Sequence, residues 1–360
     1  MADLNRAPAR KPRHARWLLV LATLLLAGLT GTVRAEEMAG VSPAAKAVID
    51  FDKAGVKPSK AYRIGYLTEC TDNPYCLARL AGLRAAAAKY GFTFKIFDGQ
   101  FNPATQAKVV EDAVTEGFDG YLFGPAAAQP GCGLWKRLLK PTGKPVVSID
   151  IAMCGDPDYT PGLAATFTMQ GPAHFYDYMD HAFAMCKGAC KVAAVGGFVG
   201  SDLFTYWEGA IKKAAAKYPN VKVVVDEPGN FDPRIALKKI QDALLAHPDI
   251  SMIVSPWDDE TRGVEQAIIA AGKVPGKDVM VFSGGATNVG VEKVKAGKWT
   301  FTYAWLPYQE AYYGAVALIM ALEGKPINAY VDEALLPEVV DTTGTVIITK
   351  ANVEKYHPNY

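Results

Sequence analysis

From Tyr62 onward, short runs of β-branched and aromatic residues alternate with longer amphipathic stretches in which alanine recurs. That alternation is the pattern of βαβ units around a parallel sheet. A strand covered on both faces reads as a brief apolar run, and its crossover helix reads as a 3.6-residue periodicity. The pattern predicts strands over Tyr62–Leu67, Phe92–Phe97, Gly120–Phe123 and Pro145–Ile149, with helices over Pro74–Tyr90, Pro103–Glu116 and about Leu134–Lys140. Residues Ala152 to Gly162 are rich in Pro, Gly and Asp and break the rhythm as a loop. A second series follows a helix at Pro172–Lys187. Its strands fall at Val192–Val195, Val221–Asp226, Ile250–Val254 and Val279–Phe282, and its helices at Asp202–Tyr218, Pro233–Ala246 and Asp259–Ala271. Two such series predict an α/β protein of two doubly wound parallel-sheet lobes, with a ligand bound in the cleft outside the carboxyl ends of the strands.

Composition supports a folded, two-lobed chain. Of 360 residues, 50% are hydrophobic and 21% charged, enough to bury a core in two domains of roughly 150 residues each. The net charge of +1 argues against a dedicated nucleic-acid binder, and its distribution says more. Arg6, Arg10, Lys11, Arg13, Arg16 and Arg34 face only Asp3 in residues 1–35, so the remainder of the chain is acidic. The basic residues precede an apolar run, Trp17–Leu29, and the small-residue pattern Val33-Arg34-Ala35. This is the layout of a secretory signal peptide cleaved after Ala35, and the run is shorter than the roughly 20 residues a spanning helix needs. No cysteine lies near the cut, so the reading is a soluble protein in the periplasm, followed by a polar leader segment over 36–60 with a short helix near Pro43–Lys53.

Export makes the six cysteines readable as disulfides. Six permit many connectivities; the local pairs Cys70–Cys76, Cys132–Cys154 and Cys186–Cys190 are the expectation. The alternative is a metal site from His174, His181, Cys186 and Cys190, but these lack the tight paired spacings of structural zinc sites. No catalytic equipment stands out. There is no GxxxxGK[ST] phosphate loop and no GxSxG elbow, and the Gly-rich turn Gly196–Gly200 lacks the dinucleotide spacing. The expectation is a binding protein with no cofactor and no bound metal.

The string IGYLTECTDNPYCLARLAGLRAAAAKYG at Ile64–Gly91 resembles the opening of the periplasmic sugar-binding proteins of the ribose and arabinose type, related to the lac-repressor ligand domains. The segments DGQFNPATQAKVVEDAVTEGFDGYLFGP from Asp98, GKPVVSID ending at Asp150, KYPNVKVVVDEPGNFDP from Lys217 and AHPDISMIVSPWDDETRGVEQAIIAAGK from Ala246 extend the resemblance over about 60–325. It implies a type I periplasmic binding fold with a three-crossing hinge. One lobe would be 61–168 plus about 306–335, the other 169–305 plus about 336–360. It further implies a monomer that closes on one small molecule and presents it to an inner-membrane transporter of the ABC type, or to a membrane receptor as a ligand sensor.

The resemblance also nominates ligand contacts. Asn73 and Tyr75 match the family's Asn-Pro-aromatic turn, Glu69 ends the first strand, Asp150 matches a ligand-binding Asp, and Phe231 keeps a family aromatic. Elsewhere the ribose type's polar anchors are replaced: Ile151 and Phe204 stand where it has Arg, Trp257 where it has Asn, Gly284 where it has Asp, and Trp305 near its Gln. A buried hydroxyl left unpaired costs on the order of 1–3 kcal/mol, so ribose is not the expected ligand. The candidate set is Glu69, Asn73, Tyr75, Asp150, Phe204, Phe231, Trp257, Asp258 and Trp305, with the two tryptophans foremost. On the same helix start as Phe204, one of Tyr206 and Trp207 is expected to face the cleft, and Asp202 to serve as the helix N-cap. Such aromatic walls favour an apolar or amphipathic ligand, lipid- or sterol-like, stabilised by roughly 25 cal/mol per Å² buried. A quaternary ammonium cation on the tryptophan faces or a modified sugar or polyol stacked between them also fits.

Overall fold

The computed structural model describes residues 42–155 and 159–360, so the leader expected over residues 1–35 lies outside the described residues. The strands, in chain order, are β1 (Arg63–Thr68), β2 (Thr93–Asp98), β3 (Gly120–Phe123), β4 (Val146–Ile149), β5 (Ala165–Thr168), β6 (Cys190–Val195), β7 (Val221–Glu227), β8 (Met252–Val254), β9 (Met280–Gly285), β10 (Phe301–Ala304), β11 (Tyr330–Asp332) and β12 (Ile347–Thr349). The principal helices are α1 (Pro43–Ala54), α2 (Pro74–Tyr90), α3 (Pro103–Glu116), α4 (Ala128–Leu134), α5 (Pro172–Ala184), α6 (Asp202–Lys217), α7 (Pro233–Ala246), α8 (Asp258–Ala270), α9 (Asn288–Lys295) and α10 (Pro307–Leu322).

The strands form two six-stranded sheets of matching order, β11-β5-β4-β3-β1-β2 and β12-β10-β9-β8-β6-β7. Every pairing is parallel except β10 with β12, where Phe301 faces Thr349 and Tyr303 faces Ile347. The chain passes between the lobes three times: after β5, after β10, and between β11 and β12. These are the two doubly wound lobes and the three-crossing hinge.

The helix starts explain why the local pattern was readable. Asn73, Asn102 and Asp232 each precede a proline, and each side chain accepts from a backbone N–H of the first turn. The cap satisfies an orphan donor while the proline fixes φ at a position that needs no N–H. Packing then brings helices close through glycine. A Cβ on Gly82 of α2 would lie 2.0 Å from the Tyr308 carbonyl of α10, and one on Gly263 of α8 would lie 1.9 Å from that of Pro233 in α7. Each lobe thus has a helix crossing that only glycine permits.

The structure departs from the sequence pattern in places. The predicted Leu134–Lys140 helix begins earlier, as α4, and continues through a π-type turn over Trp135–Leu139. Strands β5, β10, β11 and β12 and helices α9 and α10 were not in the predicted pattern. The cysteines form the pairs Cys70–Cys76, Cys132–Cys154 and Cys186–Cys190. The metal alternative is therefore set aside, since its cysteine sulfurs bond each other. Its histidines also face carboxylates, His174 beside Asp332 at 3.0 Å and His181 beside Asp177 at 3.2 Å.

Candidate functional site

A pocket lies where the carboxyl ends of the two sheets face each other, lined from the first lobe by Glu69, Asn73, Tyr75, Phe101, Asp150 and Gln170. From the second lobe come Leu203, Phe231, Trp257, Asp258, Asp259 and Thr287, and Tyr360 reaches in from the end of the described chain. The disulfide Cys70–Cys76 forms part of the wall and closes the turn between β1 and α2 that carries Asn73 and Tyr75. Asn73 is committed locally, its side-chain oxygen accepting from Cys76 N at 2.9 Å as the helix cap.

Beneath the first-lobe side lies a buried charge cluster that sequence reasoning missed. Arg79, with no exposed surface, donates through Nη1 to Glu69 Oε1 at 2.6 Å and through Nε to Glu310 Oε2 at 3.2 Å. Its Nη2 lies 3.0 Å from Asp150 Oδ1 as an ion pair without hydrogen-bond alignment. Tyr75 covers the guanidinium, its ring centre 4.9 Å away, and donates its hydroxyl to Glu310 Oε2. Glu333, also buried, adds a fourth carboxyl whose oxygens find no partner. One cation cannot balance four carboxylates in a dry interior. Accordingly burial, only partly offset by Arg79, pushes the Glu310 carboxyl up to about 7 and Asp150 well above its ordinary range; Glu333 is also raised well above its own, by burial and the neighbouring acids. Asp150 is held in a left-handed backbone conformation, φ +74°, and accepts from Gln170 Nε2. A non-glycine residue there is strained, and such positions concentrate at functional sites.

The second lobe builds its side differently. Asp258, in the first turn of α8, accepts from Ser283 and Thr302 on Oδ1 and from the backbone and hydroxyl of Thr287 on Oδ2. Burial raises its carboxyl to about 6 against the pull of these donors. Although it lines the pocket, its lone pairs are spent on tying α8, β9 and β10 together. Trp257 meets Phe231 edge to face at 4.3 Å. Phe231 sits at φ +58° and is held there because its N–H donates to the buried Glu260.

Of the nine candidate residues, the pocket brings together Glu69, Asn73, Tyr75, Asp150, Phe231, Trp257 and Asp258. Phe204 and Trp305 are corrections. Phe204 turns inward against Gly197, and its neighbour Leu203 takes the place on the pocket wall. Trp305 is wholly buried, packed at a tilt against Tyr303 and Phe175, and donates its indole N–H to the Pro256 carbonyl. It lies under Gly284, where a Cβ would come within 2.2 Å of that same carbonyl. Trp207 is likewise core, against Phe175 and Tyr178, and Tyr206 is absent from the lining. Ser201, not Asp202, caps α6, and Asp202 instead accepts from Ala128 N across the cleft at 2.7 Å. Gln170, Phe101 and Tyr360 gave no sequence signal, since each is an ordinary residue in a loop or crossing.

Cleft, fold and site define a solute-binding protein that closes two lobes on a small molecule. The chain belongs to the periplasmic binding protein domain family, whose pattern it matches over residues 64–326. Members of this family bind and transport solutes and are not enzymes. The ribose import binding protein RbsB of Salmonella typhimurium is 27% identical over 266 residues, covering 74% of this chain and 86% of that protein. Among solved structures, a galactofuranose binding protein superposes with a TM-score of 0.69 at 20% identity, covering 81% of this chain and 96% of its own. The Caulobacter myo-inositol binding protein gives 0.71 at 19% identity, over 84% and 97%. These relatives bind sugars and a cyclitol, which turns the expectation of a lipid- or sterol-like ligand toward its polyol alternative.

Proposed function

We propose that this protein is the exported binding component of an ABC-type importer for a sugar or polyol, working in the periplasm. The observation that carries this reading is the family match along most of the chain, together with a pocket at the mouth of both sheets that sets carboxylates and an amide beside aromatic rings. Trp257 and Phe231 would stack on the ligand's ring face, and Asp150, Glu69 and Gln170 would receive its hydroxyl protons. Curated relatives named for ribose, allose and xylitol support the same ligand class. No helix among the described residues is long and apolar enough to cross a membrane.

The test is mass spectrometry of the ligand that co-purifies from the native host, extracted separately into water and organic solvent. A stoichiometric sugar or polyol in the aqueous extract supports the proposal. A stoichiometric apolar molecule in the organic extract overturns it.

A further inference from the structure

The pocket's hydrogen-bonding sites are lopsided. Tyr75 donates its hydroxyl to Glu310, Gln170 its amide to Asp150, Thr287 its hydroxyl to Asp258, and Tyr360 its hydroxyl to the Gly285 carbonyl. Asn73 turns its amide toward the Cys70 sulfur. Each of these side chains thus commits a donor inside the protein, while Gln170 and Asn73 keep a second amide N–H and Trp257 its indole N–H. Gln170 is 3% exposed, lines the pocket, and its Oε1 receives no donor. Asp150 Oδ1 accepts from Gln170 Nε2, and the Arg79 guanidinium lies beside the same oxygen as an ion pair. No Lys, Arg or His lines the site, and Arg79 beneath it is already outnumbered by Glu69, Asp150, Glu310 and Glu333.

A neutral sugar needs donors for its oxygen lone pairs as much as acceptors for its hydroxyl protons. A protonated amine needs acceptors alone, brings a positive charge that favours ionisation of the acids around Arg79, and is attracted to aromatic faces such as Tyr75 and Trp257. We propose that the first-lobe side of the pocket, between Asp150, Gln170 and Glu69, is an ammonium subsite, and that the ligand is an amino-substituted sugar or cyclitol. This rests on the polyol reading above and narrows it.

The experiment titrates the ligand-free protein calorimetrically with matched pairs: D-glucose and D-glucosamine, D-galactose and D-galactosamine, myo-inositol and its amino-deoxy analogue. The N-acetylated hexosamines, which keep the ring and lose the charge, complete the set. The expected result is that at least one amine binds about tenfold more tightly than its hydroxyl parent and that N-acetylation removes the gain, a difference typical of one charge-assisted hydrogen-bond set. Parents or N-acetyl forms binding as tightly as the amines would overturn the ammonium subsite and leave the polyol reading intact. Failure of every amine at millimolar concentration would overturn the ammonium subsite, while the polyol reading stands or falls on the ligand recovered from the native host. Because the change is made on the ligand, no outcome depends on a variant that fails to fold.

Discussion

The two lobes share a strand order but solve the burial of a carboxylate at the pocket in opposite ways. Asp258 in the second lobe receives four donors from Ser283, Thr302 and Thr287 and works as a structural tie. Asp150 in the first is conformationally strained, shares one arginine with Glu69 and Glu310, and accepts from Gln170. The comparison separates a carboxylate whose lone pairs are spent on the fold from one that shares a single cation with other acids, though both line the same cavity.

The largest expected effect tests the first-lobe cluster. Arg79→Ala strands four buried carboxyls without their cation, and removing one partner of a buried ion pair typically costs about 3–5 kcal/mol. Denaturant unfolding should show a loss of that size at pH 8 and a much smaller one at pH 5, where Asp150, Glu310 and Glu333 take up protons. An equal loss at both pH values would mean that Arg79 matters for packing and not for charge.

The two tryptophans sharpen the comparison next. Trp305→Ala empties core volume between Phe175 and Tyr303 and should destabilise the ligand-free protein by about 3–5 kcal/mol. Trp257→Ala, at the half-buried edge of the pocket, should leave stability nearly unchanged and weaken binding of the recovered ligand by about tenfold. Should Trp305→Ala unfold normally and lose binding, the assignment of the two rings is reversed.

A smaller effect should appear in the pH dependence of stability. The Glu310 carboxyl rises from an ordinary 4.5 to about 7 on folding, so between those values the native state holds the proton that the unfolded state releases. Its contribution is therefore favourable below pH 4.5 and is lost as pH rises through about 7, by about 1–3 kcal/mol in all. Glu310→Gln keeps an acceptor for Tyr75 and Arg79 without the titrating proton. Its stability, measured by denaturant unfolding from pH 5 to pH 8, should fall less steeply than that of the parent protein; an identical slope would place the proton elsewhere in the cluster.

These contrasts also show what the sequence could reveal. The βαβ rhythm was legible because it is local: Asn73-Pro74, Asn102-Pro103 and Asp232-Pro233 announce helix starts within two residues. Strands β5, β10, β11 and β12 escaped because each adjoins a crossing between the lobes, where the chain leaves one sheet for the other and the βαβ rhythm is interrupted. Arg79 escaped for another reason. It shares α2 with Arg84, which is exposed, and nothing nearby distinguishes them; its partner Glu310 lies 231 residues away. Trp305 and Gly284 were read as two separate departures from a sugar site. They form one contact, in which the indole occupies the volume that a side chain at 284 would need.

The smallest effect concerns how the lobes hold each other. The first turn of α4 begins at Ala127, whose side chain offers no cap, so the N–H of Ala128 would be an orphan donor in an isolated lobe. Asp202 supplies the missing acceptor from the opposite lobe, at 2.7 Å. That bond exists only while the cleft is shut, so its contribution, about 0.5–1.5 kcal/mol, stabilises the closed form alone. Asp202→Ala should therefore weaken ligand binding by about threefold to tenfold and leave the unfolding of the ligand-free protein unchanged. Asp202→Asn, which keeps a carbonyl oxygen on the same stem, should recover part of the loss. If Asp202→Ala instead destabilises the ligand-free protein as much as it weakens binding, the empty protein is already closed, and the contact belongs to the resting fold.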